Sequence, residues 1–461
     1  MTEVLLTTAD GAVTPIHPVT EAALEGVLAG QPAAVARHAV LAGFKAKAGQ
    51  TLVAPGEAGD VAFLGLGEGV AADGMSLRAL PVKLPAGDYR FAAPIDGVAP
   101  GRVALAWALG AYSFDRYRQK PSEPRARLVV DPAVDLAEVR QVAQACALAR
   151  DLVNTPANDM GPTQLEMAAR EVAEAFGADI TVVTGDDLLA ANYPAIHAVG
   201  RAADPKRSPR MIEISWGDIG HPRIALVGKG VVFDTGGLDL KPSSAMRNMK
   251  KDMGGAAHAL ALGRMVMAAG LRVRLSILLP VVENSVSGDA MRPGDVMASR
   301  KGLSIEIGNT DAEGRLILAD ALTRAEELEP ELTIDLATLT GAARAALGPQ
   351  VIPFYTADDG LAADIAAAGV EAGDAVWRMP LWAGYADSID SDIADLKNDP
   401  DAWAQAGSVT AALFLQRFAP KTAWVHLDIF AWNPKGRPGF SSGAEAQTIR
   451  ALYAVLKARY A

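Results

Sequence analysis

The sequence predicts an α/β protein of two domains: a small N-terminal α/β domain and a larger C-terminal domain with a mostly parallel central sheet flanked by helices. The chain has 461 residues, more than one ordinary hydrophobic core accommodates. Its second half alternates strand-like and helix-like apolar patterns, which is typical of a parallel sheet covered on both faces. A polar, proline-containing segment at residues 120–125 separates the two parts. We therefore predict domains at residues 1–132 and 133–461.

The first domain is predicted to alternate short strands with alanine-rich helices. Its clearest apolar runs are Val4–Thr7, Val61–Leu66 and Arg102–Trp107, separated by glycine and proline turns. Its histidines, His17 and His38, each stand alone, so nothing in this domain indicates chemistry. We expect it to be non-catalytic and to contribute oligomer contacts.

The second domain begins with two predicted helices and continues as a regular alternation. The first helix covers residues 136–153, and the second runs from a Thr163–Glu166 capping box to about Phe176. The further predicted strands are Met211–Ser215, Ile224–Val227, Val273–Pro280, Ser304–Ile307, Leu332–Leu336 and Trp424–Ile429, and the further predicted helices are Gly255–Ala268, Leu316–Glu327 and Ala446–Arg459.

Composition and charge argue against several classes of protein. Half of the residues are apolar, but no uninterrupted apolar run reaches the ~18–20 residues of a membrane helix, and the N-terminus lacks the pattern of a signal peptide. The net charge of −11 argues against a general affinity for nucleic acid or anionic membranes. The single cysteine, Cys146, is expected to pack as a small hydrophobe. We expect a cytoplasmic protein without a membrane or nucleic-acid partner.

The segment Asn309–Arg315, which reads Asn-Thr-Asp-Ala-Glu-Gly-Arg, is the first candidate for chemistry. It joins a predicted strand to a predicted helix, and open α/β sheets usually bind ligands at the carboxyl ends of their strands. The alternative is structural, because Thr310 and Glu313 have the spacing of a helix capping box. A second group of acidic and basic residues upstream, between residues 228 and 252, favours a functional site.

Four acidic residues, Asp234, Asp252, Asp311 and Glu313, each lie beside a loop or helix start that follows a predicted strand. Carboxylates in one cleft raise each other's pKa unless cations neutralise them, and two divalent metals that share carboxylates would do so. No histidine lies in these motifs, so the site is oxygen-rich and suits Mn or Mg as well as Zn. Lys229 stands among the acids, and a lysine in a cationic cluster can lose its proton and ligate a metal.

The chain resembles the leucyl (cytosol) aminopeptidases, the dinuclear metallopeptidases of the M17 type. The resemblance spans residues ~150–430, weakens at both ends, and implies that the second domain is catalytic. It rests on the seven-residue signature at 309–315 and on ordered motifs around it. These motifs are Gly228-Lys229-Gly230 with Asp234 and Gly236-Gly237, Lys241, Asp252, Arg292-Pro293-Gly294-Asp295, Ala337-Thr338-Leu339-Thr340-Gly341, His426-Leu427-Asp428-Ile429 and Asn154-Thr155-Pro156-Ala157-Asn158.

The resemblance implies a role for each residue of the metal site. Lys229, Asp234, Asp252 and Glu313 would hold the tighter metal ion. A more exchangeable ion would be held by Asp234, Asp311 and Glu313, with Asp311 using its side chain and its carbonyl. The two ions per chain would be Zn or Mn, with Mg or Co as alternatives. A hydroxide between them would be the nucleophile.

Two basic residues complete the implied mechanism. Arg315 would hold a bicarbonate that serves as general base, because a planar guanidinium suits a planar oxyanion. Lys241 would stabilise the oxyanion that forms from the peptide carbonyl. The free α-amine of the substrate would bind a metal and Asp252, which restricts cleavage to the N-terminal residue. The structural alternatives are that Asp252 caps a helix and that Lys241 is an ordinary surface residue.

The first side chain of the substrate would occupy a pocket. The residues implied are Met249, Thr338, Leu339, Gly341 and Phe430, with help from the segment 436–443. Phe430 stands where the family usually has a small residue, which predicts a bias against the largest N-terminal residues. Alternatively, Phe430 packs in the core, since the side chains of a strand alternate between its two faces.

The leading prediction is a metal-dependent aminopeptidase that acts on peptides with a free N-terminus and assembles as a homohexamer. Two other functions stay open. The first is a dinuclear metal phosphoesterase, in which Arg315 and Lys241 would hold phosphate, although such sites usually recruit histidines. The second is a scaffold or DNA-binding role, against which the acidic charge speaks.

Overall fold

The computed structural model describes residues 2–120, 122–400 and 405–461. The chain forms two compact units: Met1–Ala147 with Asn433–Gly443, and Leu148–Trp432 with Ala444–Ala461. The break between them falls inside a helix, Leu136–Asn154, and the predicted domain boundary at residues 132/133 stays a prediction. Within the predicted linker, Pro121 lies outside the described residues.

The first unit is built on one sheet with short helices. Its strands are β1 (Leu5–Leu6), β2 (Val13–Thr20), β3 (Thr51–Ala54), β4 (Val61–Gly67), β5 (Asp88–Phe91) and β6 (Arg127–Val129), and its helices are α1 (Leu24–Ala29), α2 (Ala33–Leu41), α3 (Leu80–Lys83), α4 (Pro100–Gly110) and the start of α5 (Leu136–Asn154). The strand order is β1-β6-β5-β2-β4-β3, with β3 antiparallel to β4 and the other neighbours parallel.

The apolar run Arg102–Trp107 is helical and is not one of the short strands. It lies within α4, whose residues from Val103 to Gly110 are all buried. A helix that is buried on every side has no polar face, so its sequence shows no helical period and looks like a buried strand. Pro100 in the first turn and the alanines that follow favour the helix.

The second unit contains a nine-stranded sheet with helices around it. Its strands are β7 (Asp179–Thr184), β8 (Arg210–Trp216), β9 (Arg223–Gly228), β10 (Gly230–Asp234), β11 (Arg274–Asn284), β12 (Val296–Ala298), β13 (Ser304–Glu306), β14 (Leu332–Ala337), β15 (Ile352–Tyr355), β16 (Val376–Arg378), β17 (Leu396–Lys397) and β18 (Ala423–Asp428). The short strands β19 (Trp432–Asn433) and β20 (Gly443–Ala444) each contain one residue of either unit. Its helices are α6 (Pro162–Phe176), α7 (Asp187–Ala190), α8 (Pro194–Gly200), α9 (Ser243–Met246), α10 (Gly254–Ala268), α11 (Glu313–Glu327), α12 (Gly341–Leu347), α13 (Asp359–Ala372), α14 (Gly407–Gln416) and α15 (Ile449–Tyr460).

The large sheet has the order β16-β15-β18-β14-β9-β11-β8-β7, and β10 pairs with β11. Its central strands β18, β14, β9 and β11 are parallel to one another, and β8 and β7 extend it in antiparallel fashion. Three further strands form a separate sheet in the order β12-β13-β17. The predicted fold class, α/β with mostly parallel sheets flanked by helices, is confirmed.

Parallel pairing brings the ends of three central strands together. Gly228 of β9 is in register with Leu336 of β14, and Ala337 of β14 is in register with Asp428 of β18. The chain beyond β9 stays in this network, because Lys229 donates its N–H to the Leu336 carbonyl at 3.0 Å. The motif residues that follow these strands therefore meet at one edge of the sheet.

The predicted strands and helices of the second unit are present, but the Thr163–Glu166 capping box predicted for the start of α6 is wrong. Helix α6 has Gly161 as its N-cap, and the Gly161 N–H donates to Gln164 Oε1 at 3.1 Å. Glu166, which was expected to close a capping box with Thr163, forms an ion pair with Arg210. A residue that pairs across the fold is not available for the local cap. Within the described residues, no helix has both the length and the apolar character needed to span a bilayer.

Candidate metal centre

The signature segment forms a loop after β13 and the first turn of α11, which begins at Glu313, about one turn earlier than predicted. Thr310 does not cap this helix, since its hydroxyl donates to the Gly236 carbonyl at 2.6 Å. The N-cap residue is Ala312, without a side-chain hydrogen bond. The structural alternative of a Thr310–Glu313 capping box is therefore wrong.

Asn398 holds this loop in place from a distant part of the chain. Its Oδ1 accepts from the N–H of Gly308 at 2.8 Å, and its Nδ2 donates to the Asn309 carbonyl at 2.7 Å. Its own carbonyl accepts from Arg315 Nη1 at 2.6 Å. One asparagine thus fixes both the loop and its arginine. No local sequence pattern indicates this role, because Asn398 lies 89 residues from Asn309.

Three of the four predicted acidic ligands converge on one point. One carboxylate oxygen from each of Asp234, Asp252 and Glu313 lies within 4.8 Å of the others, and all three residues are buried. Asp311 lies beside them and is more exposed. Its carboxylate pairs with Lys241, whose ammonium also lies 2.8 Å from Asp234 Oδ2. The fold therefore brings together residues from β10, the turn before α10, and the signature segment with the first residue of α11.

Backbone and side-chain donors orient Asp234, the last residue of β10. Its Oδ1 accepts from the Gly236 N–H and from Asn284 Nδ2, both at 2.9 Å. Gly236 has φ +90°, in the left-handed region that favours glycine, so the turn after β10 depends on it. Asn284 ends β11, the parallel neighbour of β10, and lies in register with Asp234. Asn284 belongs to none of the sequence motifs and was not predicted to lie at the site.

Lys229 lies between two of the carboxylates. Its ammonium is 2.7 Å from Asp252 Oδ2 and 3.0 Å from Glu313 Oε1, and it donates to the Thr338 carbonyl at 3.2 Å. Gly314 leaves the space for this side chain, because a Cβ there would lie 2.5 Å from Lys229 Cε. Burial opposes the charge on Lys229, but the surrounding carboxylates outweigh burial and raise its pKa.

Burial and crowding act strongly on the carboxyl groups. Burial raises the pKa of Glu313 to about 8, and the neighbouring Asp234 adds to the effect. Burial also raises the pKa of Asp311 to about 6, again with a contribution from Asp234. Burial has the same tendency at Asp252, but nearby lysines, Lys229 foremost, outweigh it and lower the pKa to about 2. The nearby lysines therefore provide too little positive charge to offset the burial of the Glu313 carboxylate.

The donor set fits divalent cations. Glu313 Oε1 lies 3.0 Å from the Lys229 ammonium, and within the described parts of the chain neither Oε1 nor Oε2 of Glu313 has a hydrogen-bond partner. A buried carboxylate oxygen without a partner is costly. A cation at this point would supply the partner and remove the repulsion between carboxylates. Oxygen donors from four acids, with one lysine nitrogen, suit Mn, Mg and Zn.

Arg315 lies in the first turn of α11 and is 7% exposed. Its Nη1 donates to the Asn398 carbonyl, whereas its Nε is buried without a hydrogen-bond partner in the described residues. Arg315 and the metal-ligand candidates line the same cavity, apart from Glu313, which lies below its surface. A guanidinium with an unused donor at such a site can hold an oxyanion.

The cavity has a volume of about 240 Å³. Four predicted pocket residues line it: Met249, Thr338, Leu339 and Gly341. Among the described residues that line it, none is Phe430 and none comes from the segment 436–443. Asp428, from the His-Leu-Asp-Ile motif, supports the lining, because its Oδ1 accepts from the N–H groups of Leu339 (3.0 Å) and Thr340 (3.1 Å).

The ring of Phe430 packs against two cations that do line the cavity. Lys251 Nζ lies 5.5 Å and Arg344 Cζ lies 4.6 Å from the ring centroid. Lys251 is buried, and its ammonium is 3.4 Å from Asp252 Oδ1. Burial lowers the pKa of Lys251. Neither Lys251 nor Arg344 was predicted from the sequence to lie in the pocket. The role of Phe430 in substrate preference stays a prediction.

The fold and the site define a two-domain α/β metalloenzyme with its centre at the carboxyl edge of parallel strands. The family model for the catalytic domain of the cytosol aminopeptidase family matches residues 147–453, and the model for the N-terminal domain of M17 aminopeptidases matches residues 14–131. The chain therefore belongs to the cytosol aminopeptidase family, M17. It is a metal-dependent aminopeptidase, a hydrolase of peptides.

Several known proteins similar to this chain are named cytosol aminopeptidases. "Probable cytosol aminopeptidase" from Geobacter sp. (strain M21) is 40% identical over 374 residues, which cover 77% of this chain and 74% of that protein. The protein of the same name from Rhizobium meliloti (strain 1021) is 38% identical over 424 residues, covering 86% and 83%. The crystal structure of the cytosol aminopeptidase from Coxiella burnetii has a TM-score of 0.94 and 41% identity, with 100% of both chains covered. The bottromycin maturation enzyme BotP in complex with Mn has a TM-score of 0.86 and 35% identity, covering 97% of this chain and 100% of that one.

Proposed function

We propose that the chain releases N-terminal residues from peptides with two divalent cations held by its carboxylate cluster. The observation that carries this is the convergence of Asp234, Asp252 and Glu313 within 4.8 Å, beside Asp311 and Lys229. Three converging carboxylates with a fourth beside them need more positive charge than the nearby lysines provide. The metal dependence of the family and the Mn complex of BotP agree with this proposal.

The candidate ligands divide between two cation positions. Lys229, Asp234, Asp252 and Glu313 would hold the tighter cation, and Asp234, Asp311 and Glu313 the more exchangeable one, so that Asp234 and Glu313 bridge the pair. The greater exposure of Asp311 agrees with an exchangeable position. Zn and Mn are the cations we propose, with Mg or Co as alternatives. When bound, the cations would activate water and polarise the peptide carbonyl.

Arg315 would hold a bicarbonate as general base. The support is geometric: Asn398 fixes one end of the guanidinium, and the buried Nε has no partner among the described residues. A planar oxyanion on the guanidinium would satisfy that donor with a charge-assisted hydrogen bond. The anion could then accept the proton that the attacking water loses.

Lys241 would stabilise the developing oxyanion of the substrate. Its ammonium contacts the carboxylates of Asp234 and Asp311, and burial opposes its charge while these carboxylates raise its pKa. Cations bound by the same carboxylates would compete for them and leave the ammonium available to a substrate oxygen. A fixed positive charge aimed at the oxyanion lowers the barrier without rearrangement.

Asp252 would receive the free α-amine of the substrate, which restricts cleavage to the first residue. The first side chain would lie against Met249, Thr338, Leu339 and Gly341, which line the cavity beside Asp252, and Phe430 would act through the cations that it contacts. For the whole protein, we propose a homohexamer with contacts from the first domain, in the cytoplasm. The names of the relatives support this location.

The test compares two chromogenic substrates on the Mn-loaded protein. Leucine p-nitroanilide reports peptidase activity, and p-nitrophenyl phosphate reports the phosphoesterase alternative. We expect hydrolysis of the anilide and none of the phosphate ester. The reverse result would replace the proposed function with the phosphoesterase, and a gel shift at low salt checks the DNA-binding alternative.

A further inference from the structure

Two cations of the cavity are not explained by the metal site. The lining contains five cationic residues, of which Lys229 and Lys241 pair with the carboxylates and Arg315 donates to the Asn398 carbonyl. The other two, Lys251 and Arg344, come from different elements, the turn before α10 and helix α12. Both pack on the ring of Phe430.

These two cations are short of anionic partners. Arg344 forms no ion pair with any described residue, and its Nη1 donates to the Thr340 carbonyl at 3.3 Å. Lys251 contacts Asp252 at 3.4 Å, but that carboxylate also has Lys229 at 2.7 Å and the Thr338 hydroxyl at 2.8 Å. A buried ammonium and a half-buried guanidinium that share so little negative charge favour an anionic ligand.

The position of the pair points to one part of the substrate. Lys251 lies next to Asp252, which is the proposed partner of the substrate α-amine, so both cations lie where the first side chain would extend. The Phe430 ring restricts the two cationic side chains, and cations prefer the face of an aromatic ring. A preorganised guanidinium and ammonium suit a carboxylate.

We propose that Lys251 and Arg344 select substrates whose N-terminal residue carries a carboxylate, glutamate or aspartate. This inference rests on the proposed aminopeptidase function and names its substrate class. A glutamate or aspartate side chain would supply an anion to Arg344 and a second one to Lys251. An uncharged side chain of the same size would add no negative charge, so the preference follows charge rather than volume.

Glutamyl and glutaminyl p-nitroanilide test this inference. The two substrates have nearly the same shape, differ by one charge, and carry no terminal carboxylate. The wild-type protein should prefer the glutamyl substrate in kcat/KM by roughly tenfold or more, the factor that a charge-assisted hydrogen bond contributes. Lys251→Met and Arg344→Gln should each bring the ratio towards one, mainly through KM, with unchanged metal content.

Lys250→Met is the matched control and should keep the ratio. Lys250 donates a hydrogen bond to the Asn154 carbonyl and packs near Trp432, and it does not line the cavity.

Several results would overturn the inference. A ratio at or below one, with glutaminyl and leucyl anilides still hydrolysed, removes the selectivity and leaves the aminopeptidase intact. Hydrolysis of none of the three anilides removes both. Variants that retain the wild-type ratio exclude the two cations. If Arg344→Gln lowers activity only on dipeptides and not on their C-terminal amides, the cations bind the terminal carboxylate of short peptides instead.

Discussion

Glu313 is the residue on which the electrostatics of the site concentrate. One of its carboxylate oxygens lies 3.0 Å from the Lys229 ammonium, and neither oxygen has a hydrogen-bond partner among the described residues. Burial together with Asp234 raises its pKa to about 8. Ionisation of this carboxyl group is costly in the metal-free protein but becomes favourable when a cation binds beside it. Metal binding should therefore be coupled to the loss of the Glu313 proton.

Replacing Glu313 with alanine should abolish hydrolysis of leucine p-nitroanilide and reduce the bound metal. The remaining carboxylates cannot hold two cations close together without the shared ligand. Glu326→Ala is the matched control, because Glu326 lies on the same helix and pairs with Lys301 at the surface. Metal per chain is measured by elemental analysis beside turnover. Two metals per chain and near-normal turnover in Glu313→Ala would show that the ligand assignment is wrong.

Replacing Lys241 with alanine should lower kcat by roughly 10²–10³, as the loss of one preorganised oxyanion donor does, and leave the metal content unchanged. Steady-state kinetics with elemental analysis check both parts. Loss of metal from Lys241→Ala would instead make the residue a support for Asp234 and Asp311, which it contacts.

At the residue scale, the sequence predicts what lies in compact motifs. Asp234, Asp252 and Glu313 stand in short, ordered motifs, and the structure brings them together. Asn284 and Asn398 act through single hydrogen-bonding side chains far along the chain from the groups that they orient. Such residues have no local pattern, because only the folded sheet brings them to the site.

At the element scale, the start of α11 fixes the geometry of the metal site, because its residue Gly314 packs directly against Lys229. Because a Cβ on Gly314 would lie 2.5 Å from Lys229 Cε, Gly314→Ala should displace the lysine from Asp252 and Glu313. We expect metal affinity and kcat/KM to fall about 10–100-fold, as for other residues that position ligands, with a Tm within a few degrees of the wild type. Gly288→Ala is the control, since a Cβ there meets nothing within 4 Å. A Gly314→Ala protein with normal metal affinity would contradict this close packing.

A buried histidine links α10 to the segment before α15. His258 Nδ1 donates to the Gly254 carbonyl at 2.7 Å, and His258 Nε2 accepts from the Gln447 N–H at 3.1 Å. This arrangement requires the neutral imidazole. Burial lowers the pKa of His258 to about 4, below the ~6.5 of an exposed histidine.

The lowered pKa of His258 predicts a loss of stability in mild acid. Between pH ~6.5 and ~4 the unfolded chain binds a proton that the folded chain does not, so the free energy of unfolding falls as the pH falls. The contribution is on the order of 3 kcal/mol over this window. His258→Gln should show a smaller decrease in urea unfolding experiments from pH 7 to 4, whereas His38→Gln should retain the wild-type decrease. Equal decreases in wild type and His258→Gln would contradict the prediction.

At the element scale, periodic and alternating segments were predictable, and uniformly buried or very short ones were not. The strands and helices around the site carry long apolar patterns and are present. Helix α4 is buried on all sides, which removes the polar face that distinguishes a helix. Strands of two or three residues, such as β12 and β17, exist only because their neighbours pair with them.

For the whole molecule, chain length and alternation predicted two α/β parts, and the family models cover both of them. The strand order of the large sheet and the antiparallel pairing of β7 and β8 did not follow from the sequence, because these choices depend on contacts between segments far apart in the chain. The same non-local pairing carries Asp234, Asp252 and Glu313 to one point. We therefore propose, above all, that this sheet edge holds two catalytic cations.

Metal titration of the chelated protein tests that claim most directly. Leucine p-nitroanilide hydrolysis is followed while Mn is added to protein stripped of metal, with the bound metal measured at each step. Our account predicts no activity without metal and a plateau at two bound cations per chain. Full activity in the stripped protein, or a plateau at one bound cation, would contradict it.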